Sequence, residues 1–308
     1  MLKKIIEETE PEDLIWNHPK AISLNFREAL RKTEGKKNPS YMLPQKTDLQ
    51  IVEFDDLDFS GVTVSQNVGL LKRYFGYKRI NLGPVYFFPY ISGTPKDDFS
   101  NIGRLENIPL YPTLAEPQYV ITGEMNGCAI IITKKDGAKT FTAWHFQSPD
   151  SVNNREKLRA FLKEYRNEIY SYLCFSDYAS ENNDETYNEK EREGFNYLFF
   201  NRKNHGDGND WVAGTWELRC IPLIRTLNNP KQDDPWVGDL INFSTKNKFT
   251  RPIDFNQPLI PANETGDLII NWIISHITYD VTLRNRPVLP PLPPGVSTLP
   301  PVSIINDH

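Results

Sequence analysis

Apolar and polar positions change period several times along the chain. From Ile22 to Glu34 (ISLNFREALRKTE), Phe26, Leu30 and their neighbours share one face at helical spacing, which predicts a peripheral helix within an N-terminal region of residues 1–45. After Pro44, runs rich in Val, Tyr and Phe are broken by Gly, Pro and Asp: LQIVEF, GVTVSQNVGLLKRYFGY, GPVYFFPYI. These predict strands, with one short helix over Val68–Phe75. QYVITGEM and the two apolar runs of CAIIITKKDGAKTFTAWHF continue the β pattern.

The period then changes. In SPDSVNNREKLRAFLKEYRNEIYSYL, residues Leu158, Phe161, Leu162, Tyr165 and Ile169 recur at 3.6-residue spacing, and Ser151 or Asn153 can cap the start. This is the clearest helix. The acidic stretch Ser180–Glu193 reads as a loop or a solvated helical segment. Strand candidates FNYLFF and DWVAGTWELRCIPLI follow, then the apolar or amphipathic segment GDLIINWIISHITYDV. From Arg284 the sequence RNRPVLPPLPPGVSTLPPV cannot continue a helix or a central strand, so residues 284–308 read as an extended proline-rich tail. With no internal repeat and no linker before it, residues 1–283 read as one α+β domain: a mixed or antiparallel β-sandwich core with peripheral helices.

Composition narrows the function classes. Lys and Arg number 35 against 40 Asp and Glu, a net charge of −5 with both signs scattered, so a basic nucleic-acid-binding face is not expected. Cys128, Cys174 and Cys220 are an odd, widely spaced set with no CxxC pair, which argues for free thiols in a reducing compartment. The amino terminus meets acidic residues before any apolar run of signal-peptide length, and no stretch is long enough to span a membrane. The expectation is a soluble protein made in the cytoplasm without a cleaved signal, to which export by a specialised system remains open.

The chemistry gathers on one hairpin. Asp136-Gly137 between two apolar runs is a strong hairpin signal. A two-residue type I′ turn there pairs Lys135 with Ala138 and, counting back along both strands, sets Cys128 directly opposite His145, with Cβ atoms roughly 4.5–5.5 Å apart. A longer loop or a one-residue bulge would turn the two side chains to opposite faces. A thiol needs a neighbour that takes its proton, and an adjacent imidazole does this. Gly127 clears space where a substrate would approach, and backbone N–H groups near Gly127 and Cys128 could hold an oxyanion. The bland alternative is a small buried hydrophobe at the start of CAIII beside a core histidine flanked by Trp144 and Phe146.

Met125-Asn126-Gly127-Cys128, an apolar strand, a Lys-Asp-Gly turn and a second strand ending in His145 together resemble the catalytic hairpin of the cytotoxic necrotising factor and Burkholderia lethal factor deamidases. In that group a Ser-Gly-Cys triplet leads into the strand; Asn126 stands here in place of the serine. The resemblance covers residues 119–149. It implies a papain-like-deamidase-type hairpin and a toxin or effector that hydrolyses a glutamine side-chain amide in a host protein, a small GTPase or a translation factor, with transglutamination as a side activity. Cys128 would be the nucleophile and His145 the general acid and base. Thr122, on the preceding strand, is the candidate to orient the imidazole, and Asn126 joins Gly127 at the substrate side. No cofactor is implied.

Other motifs carry less. His205-Gly-Asp207-Gly-Asn-Asp210 alternates oxygen ligands but lacks the distal Glu of a calcium loop, and reads as a Gly/Asp turn. No histidine pair has ligand spacing, so no metal site is expected. Arg284, Pro287 and Pro290 fit an Arg-x-x-Pro-x-x-Pro ligand for an SH3 groove, a match common in proline-rich sequence. The competing class is a non-enzymatic, β-rich binding protein, which an aromatic content of 12% and many short strands would also suit.

Overall fold

The computed structural model describes residues 22–25, 45–56, 59–66, 79–88, 91, 93–122, 125, 127–149, 151–179, 192–204, 211–225, 241–243, 249–260, 265–278 and 303–304. In chain order the strands are β1 (Ile22–Asn25), β2 (Gln45–Asp56), β3 (Phe59–Gln66), β4 (Arg79–Phe88), β5 (Gly103–Pro109), β6 (Tyr119–Thr122), β7 (Ala129–Thr133), β8 (Thr140–Phe146), β9 (Ile169–Leu173), β10 (Arg192–Asn204), β11 (Trp211–Arg225), β12 (Ile241–Phe243), β13 (Phe249–Pro252) and β14 (Ser303–Ile304). The helices are α1 (Val152–Glu164), α2 (Phe175–Ala179) and α3 (Thr265–Ile277).

These strands build two sheets, and the fold is α+β. The larger runs β1-β3-β2-β4-β6-β10-β11-β13-β14, with β12 also paired to β11; β1/β3 and β4/β6 are parallel and the other pairs antiparallel. The smaller is antiparallel, in the order β5-β8-β7-β9. Strand alternation explains how the layers stack. Ile130 and Ile132 of β7, with Phe141 and Ala143 of β8, meet Phe88, Val120, Leu198 and Leu218 of the large sheet in one core. The intervening residues Ala129, Ile131, Trp144 and Phe146 point the other way, onto Phe161 and Leu162 of α1 and Ile270 and Ile273 of α3. The small sheet is therefore a middle layer buried on both faces, which is why β7 reads as an unbroken apolar run rather than an alternating one.

Two expected helices are revised. Ile22–Asn25 is a strand, pairing in parallel with Val62–Ser65; its alternation of Ile and Leu with Ser and Asn fits a period of two as well as one helical face. Residues 26–34, the expected helix over Val68–Phe75, the acidic stretch before Arg192 and the His205–Asp210 turn lie outside the described residues. The helix after β8 ends at Glu164. Tyr165 leaves helical geometry, its N–H still bonded to the Phe161 carbonyl, and Ile169–Leu173 forms β9 against β7. A bulge at Tyr170 lets Ile169 pack toward the helices while Tyr170 faces the large sheet, so every residue of this strand is buried. At the start of α1 the expected cap is present: Ser151 Oγ accepts from the Asn154 N–H at 3.4 Å.

The residues proposed to contact an SH3 groove, Arg284, Pro287 and Pro290, lie outside the described residues; farther along, Ser303 and Ile304 pair with Thr250 and Phe249. Among the described residues no helix is long and apolar enough to cross a membrane.

Candidate active site

The hairpin turn forms where the sequence places it. The Ala138 N–H donates to the Lys135 carbonyl at 3.1 Å, closing a turn with Asp136 and Gly137 at its centre. Gly137 alone of these two has positive φ, +67°, so the turn is not type I′, which needs it at both positions. The register beyond it also differs. Thr133 pairs with Thr142, Ile130 with His145, and Ala129 with Phe146. Relative to the turn, β8 has advanced by two residues, because Lys139 and Thr140 are engaged elsewhere: the Leu110 N–H donates to the Lys139 carbonyl, and Thr140 pairs with Pro109 of β5. On the other side the Lys134 N–H leaves the hairpin and donates to the Glu168 carbonyl at 2.8 Å.

Cys128 is thus not directly opposite His145. It stands one residue before β7, and the residue facing His145 is Ile130. A slip of two keeps parity where a slip of one would have reversed it. Cys128 packs in the core between the sheets with Ile130, and His145 meets Phe88 of that core edge to face, ring centroids 6.4 Å apart. Thiol and imidazole therefore belong to the same inter-sheet layer, as diagonal neighbours whose Cα positions on such a ladder lie roughly 7–8 Å apart.

Thr122 comes to this layer from the opposite sheet. It ends β6, beside Phe88 of β4, and its Oγ1 lies 2.8 Å from His145 Nδ1 in a buried hydrogen bond. That contact brings together two of the three residues the sequence reading named as catalytic. It fixes the ring, and if Nδ1 carries the proton, Nε2 is the basic nitrogen. Complete burial pulls the His145 pKa down to about 3, so the imidazole is neutral at physiological pH.

Gly127 has φ +82°, and a Cβ there would meet none of the described residues within 4 Å. The glycine is needed for its backbone conformation. Cys128 is 9% exposed. Asn126 lies outside the described residues.

Sequence reasoning missed the residues that hold this strand start. The Tyr178 hydroxyl, from α2, donates to the Cys128 carbonyl at 3.1 Å and is buried. Gly194 of β10 exchanges two backbone hydrogen bonds with Met125 and lies against the Tyr178 ring. At the far end of β8, the Asn154 amide donates to the carbonyls of Gln147 at 2.9 Å and Ser148 at 3.2 Å, fixing the chain just past His145. Nothing in the spacing of Tyr178, Gly194 or Asn154 signals these contacts, because each depends on tertiary packing.

A second group of chemistry-bearing side chains lies just past the end of β9, on α2 and on α3. Cys174, Asp177 and His276 place one sulfur, one carboxylate oxygen and one ring nitrogen within 4.8 Å of one another. Arg251 of β13 pairs with Asp177 at 3.0 Å and also donates to the Tyr172 carbonyl. Burial pushes the Asp177 carboxyl up, but Arg251, His276 and the Cys174 N–H more than offset it and hold it below the usual carboxylate range. Cys220 is buried between the sheets, and burial pushes its thiol well above the ordinary value. It reads as core.

No protein-family model matches the chain, and no curated protein matches it. Among solved structures, the C-terminal domain of CNFy from Yersinia pseudotuberculosis is similar over 74% of this chain and 99% of that chain, at 12% sequence identity and a TM-score of 0.30. At that score the two folds are not shown to be the same.

Proposed function

We propose that this chain is a cysteine-dependent amidohydrolase that deamidates glutamine side chains of a host protein, reaching it as an exported toxin or effector. The observation that carries the reading is the buried hydrogen bond between Thr122 Oγ1 and His145 Nδ1, made across two sheets into the layer that holds Cys128. It gives the imidazole the third partner that a nucleophile and base pair requires. The sequence resemblance of the hairpin adds the choice of substrate.

In this reading Cys128 Sγ attacks the carboxamide carbon and His145 takes the thiol proton. Backbone N–H groups at Gly127 and Cys128 receive the oxyanion. The C–N bond breaks as His145 returns the proton to departing ammonia, leaving a thioester. Water, deprotonated by the same imidazole, then cleaves the thioester to glutamate and frees the thiol. A neutral imidazole of low pKa is a poor proton acceptor alone, and the thiolate forming beside it stabilises its protonated state.

The full burial of His145 favours a second reading, a non-enzymatic β-rich binding protein in which the Thr122 contact satisfies a core histidine. Two measurements separate them. An activated Cys128 alkylates with iodoacetamide faster than an ordinary cysteine at about pH 6–7, and His145→Ala abolishes the excess. Incubation with a glutamine-bearing protein substrate raises the substrate mass by about 1 Da per site converted, and Cys128→Ser stops it. Ordinary reactivity of Cys128, with no mass change in any host-protein fraction tested, would sink the enzyme reading.

A further inference from the structure

We propose that Cys174, Asp177 and His276 form a binding site for a borderline divalent transition-metal ion of the zinc class, separate from the Cys128 hairpin. Cys174 and Asp177 are three residues apart around the start of α2, His276 comes from α3 about a hundred residues on, and the three meet where α2 and α3 flank the end of β9. Cys174 Sγ is 3.4 Å from Asp177 Oδ2 and 3.9 Å from His276 Nδ1. A tetrahedral ion with bonds of about 2.0–2.3 Å to S, N and O sets its ligands roughly 3.3–3.6 Å apart. The sulfur–carboxylate edge already has that length, and the sulfur–imidazole edge needs to close by a few tenths of an ångström.

The chemistry of the set fits as well. Sulfur, imidazole nitrogen and a carboxylate oxygen are the donors this ion class takes, and hard cations such as calcium do not take thiolate. Arg251 engages Asp177 through Oδ1, which leaves Oδ2 on the sulfur side. The Cys174 N–H donates to that same Oδ2 at 2.8 Å and holds the carboxylate against the thiol. Trp272 stacks on the His276 ring at 5.2 Å and Tyr172 meets it edge to face at 5.6 Å, so the imidazole is held between two aromatic walls. Cys174 and the Asp177 carboxylate are buried, while His276 is partly exposed, which gives an ion a way in from the imidazole side.

The carboxylate–imidazole edge, which lies within 4.8 Å, closes too, and two existing bonds give way. The Cys174 thiol gives its proton to solvent as the S–metal bond forms, and the Tyr172 hydroxyl releases the 2.7 Å contact it makes with His276 Nδ1. Three protein ligands then leave a fourth position for water. The competing account is a purely structural cluster, in which Asp177 caps the short helix α2 and Arg251 neutralises it.

The purified full-length chain, treated with chelator and then titrated with Co²⁺ at about pH 7.5, tests this. One equivalent of Co²⁺ should produce a thiolate-to-cobalt charge-transfer band, and Zn²⁺ should bleach it. Cys174→Ser should remove the band, and His276→Gln should weaken binding by more than about a hundredfold, beyond what loss of a supporting contact costs. Cys128→Ser should leave the band intact, so the result is independent of the deamidase reading. Circular dichroism of each variant checks folding; Cys174→Ser is nearly isosteric, and His276→Gln keeps a polar side chain of comparable length. Absence of the band in the unaltered protein, or a band that persists in Cys174→Ser and vanishes in Cys128→Ser, overturns the proposal.

Discussion

Thr122 and His145 lie 23 residues apart in sequence and on different sheets, and their 2.8 Å contact is the most consequential single bond in the candidate site. Thr122→Val keeps the shape of the side chain and removes the hydroxyl, depriving a buried ring nitrogen of its bond. Stability should fall by about 1–3 kcal/mol in a denaturant titration, and the alkylation rate of Cys128 should fall with it. Thr122→Ser should restore both. His145 also carries a pH signature. Its pKa is near 6.5 when unfolded and about 3 in the fold, so the unfolded chain binds the extra proton between those values. Its contribution to stability is complete above pH 6.5 and is lost as pH falls toward 3, at up to about 1.4 kcal/mol per pH unit. His145→Gln should flatten that part of a plot of melting temperature against pH; an unchanged slope would show that the ring is not the group responsible. Residues 122, 128 and 145 stood out in the sequence as a candidate set. Their positions were legible only to the nearest face, because β5 draws Lys139 and Thr140 out of the hairpin and no local pattern records that pull.

At the scale of elements, legibility followed how much of each pattern was local. The strands β2, β3, β4, β6, β7, β8, β10 and β11 all fall on apolar runs that the period identified. β9 did not, because Ile169 continues the helical face of Leu158 and Leu162 while the chain around it is captured by the edge of β7. β5, with its polar sequence GRLENIP, carries too weak an alternation to be seen. The start of β7 depends on a contact of the same long-range kind. A Cβ on Gly194 would come within 2.7 Å of the Tyr178 ring and 2.6 Å of the Asn196 amide. Both neighbours are buried. Gly194→Ala should therefore cost about 1–3 kcal/mol, measured by chemical denaturation. By shifting the ring whose hydroxyl holds the Cys128 carbonyl, it should also change Cys128 alkylation, whereas Tyr178→Phe should alter alkylation with a stability loss of only about 1 kcal/mol.

Across the whole molecule, the Arg251–Asp177 ion pair joins the two sheets and α2, as apolar packing does. Arg251 belongs to the large sheet through β13, donates to the carbonyl of Tyr172 in the small sheet, and pairs with Asp177 of α2. Both charged side chains are shielded, at 3% and 8% exposure. Such a pair adds little stability over an apolar replacement of the same shape, since desolvation offsets most of the attraction, but removing one partner leaves a charge with no compensation. Arg251→Met should then destabilise the protein by about 3–5 kcal/mol. The double variant Arg251→Met with Asp177→Asn should recover part of that loss, because it removes the stranded carboxylate too. The pair also sets an acid limit. Asp177 is held below its ordinary pKa, so its contribution is present above the unfolded carboxylate value and disappears as pH falls through the lower, folded one. Denaturant midpoints for the three proteins, taken at neutral pH and again near pH 3, give the comparison. The gap between the wild type and the double variant should narrow in acid. A double variant no more stable than Arg251→Met at neutral pH would show that the arginine acts through its bond to Tyr172, not through its charge.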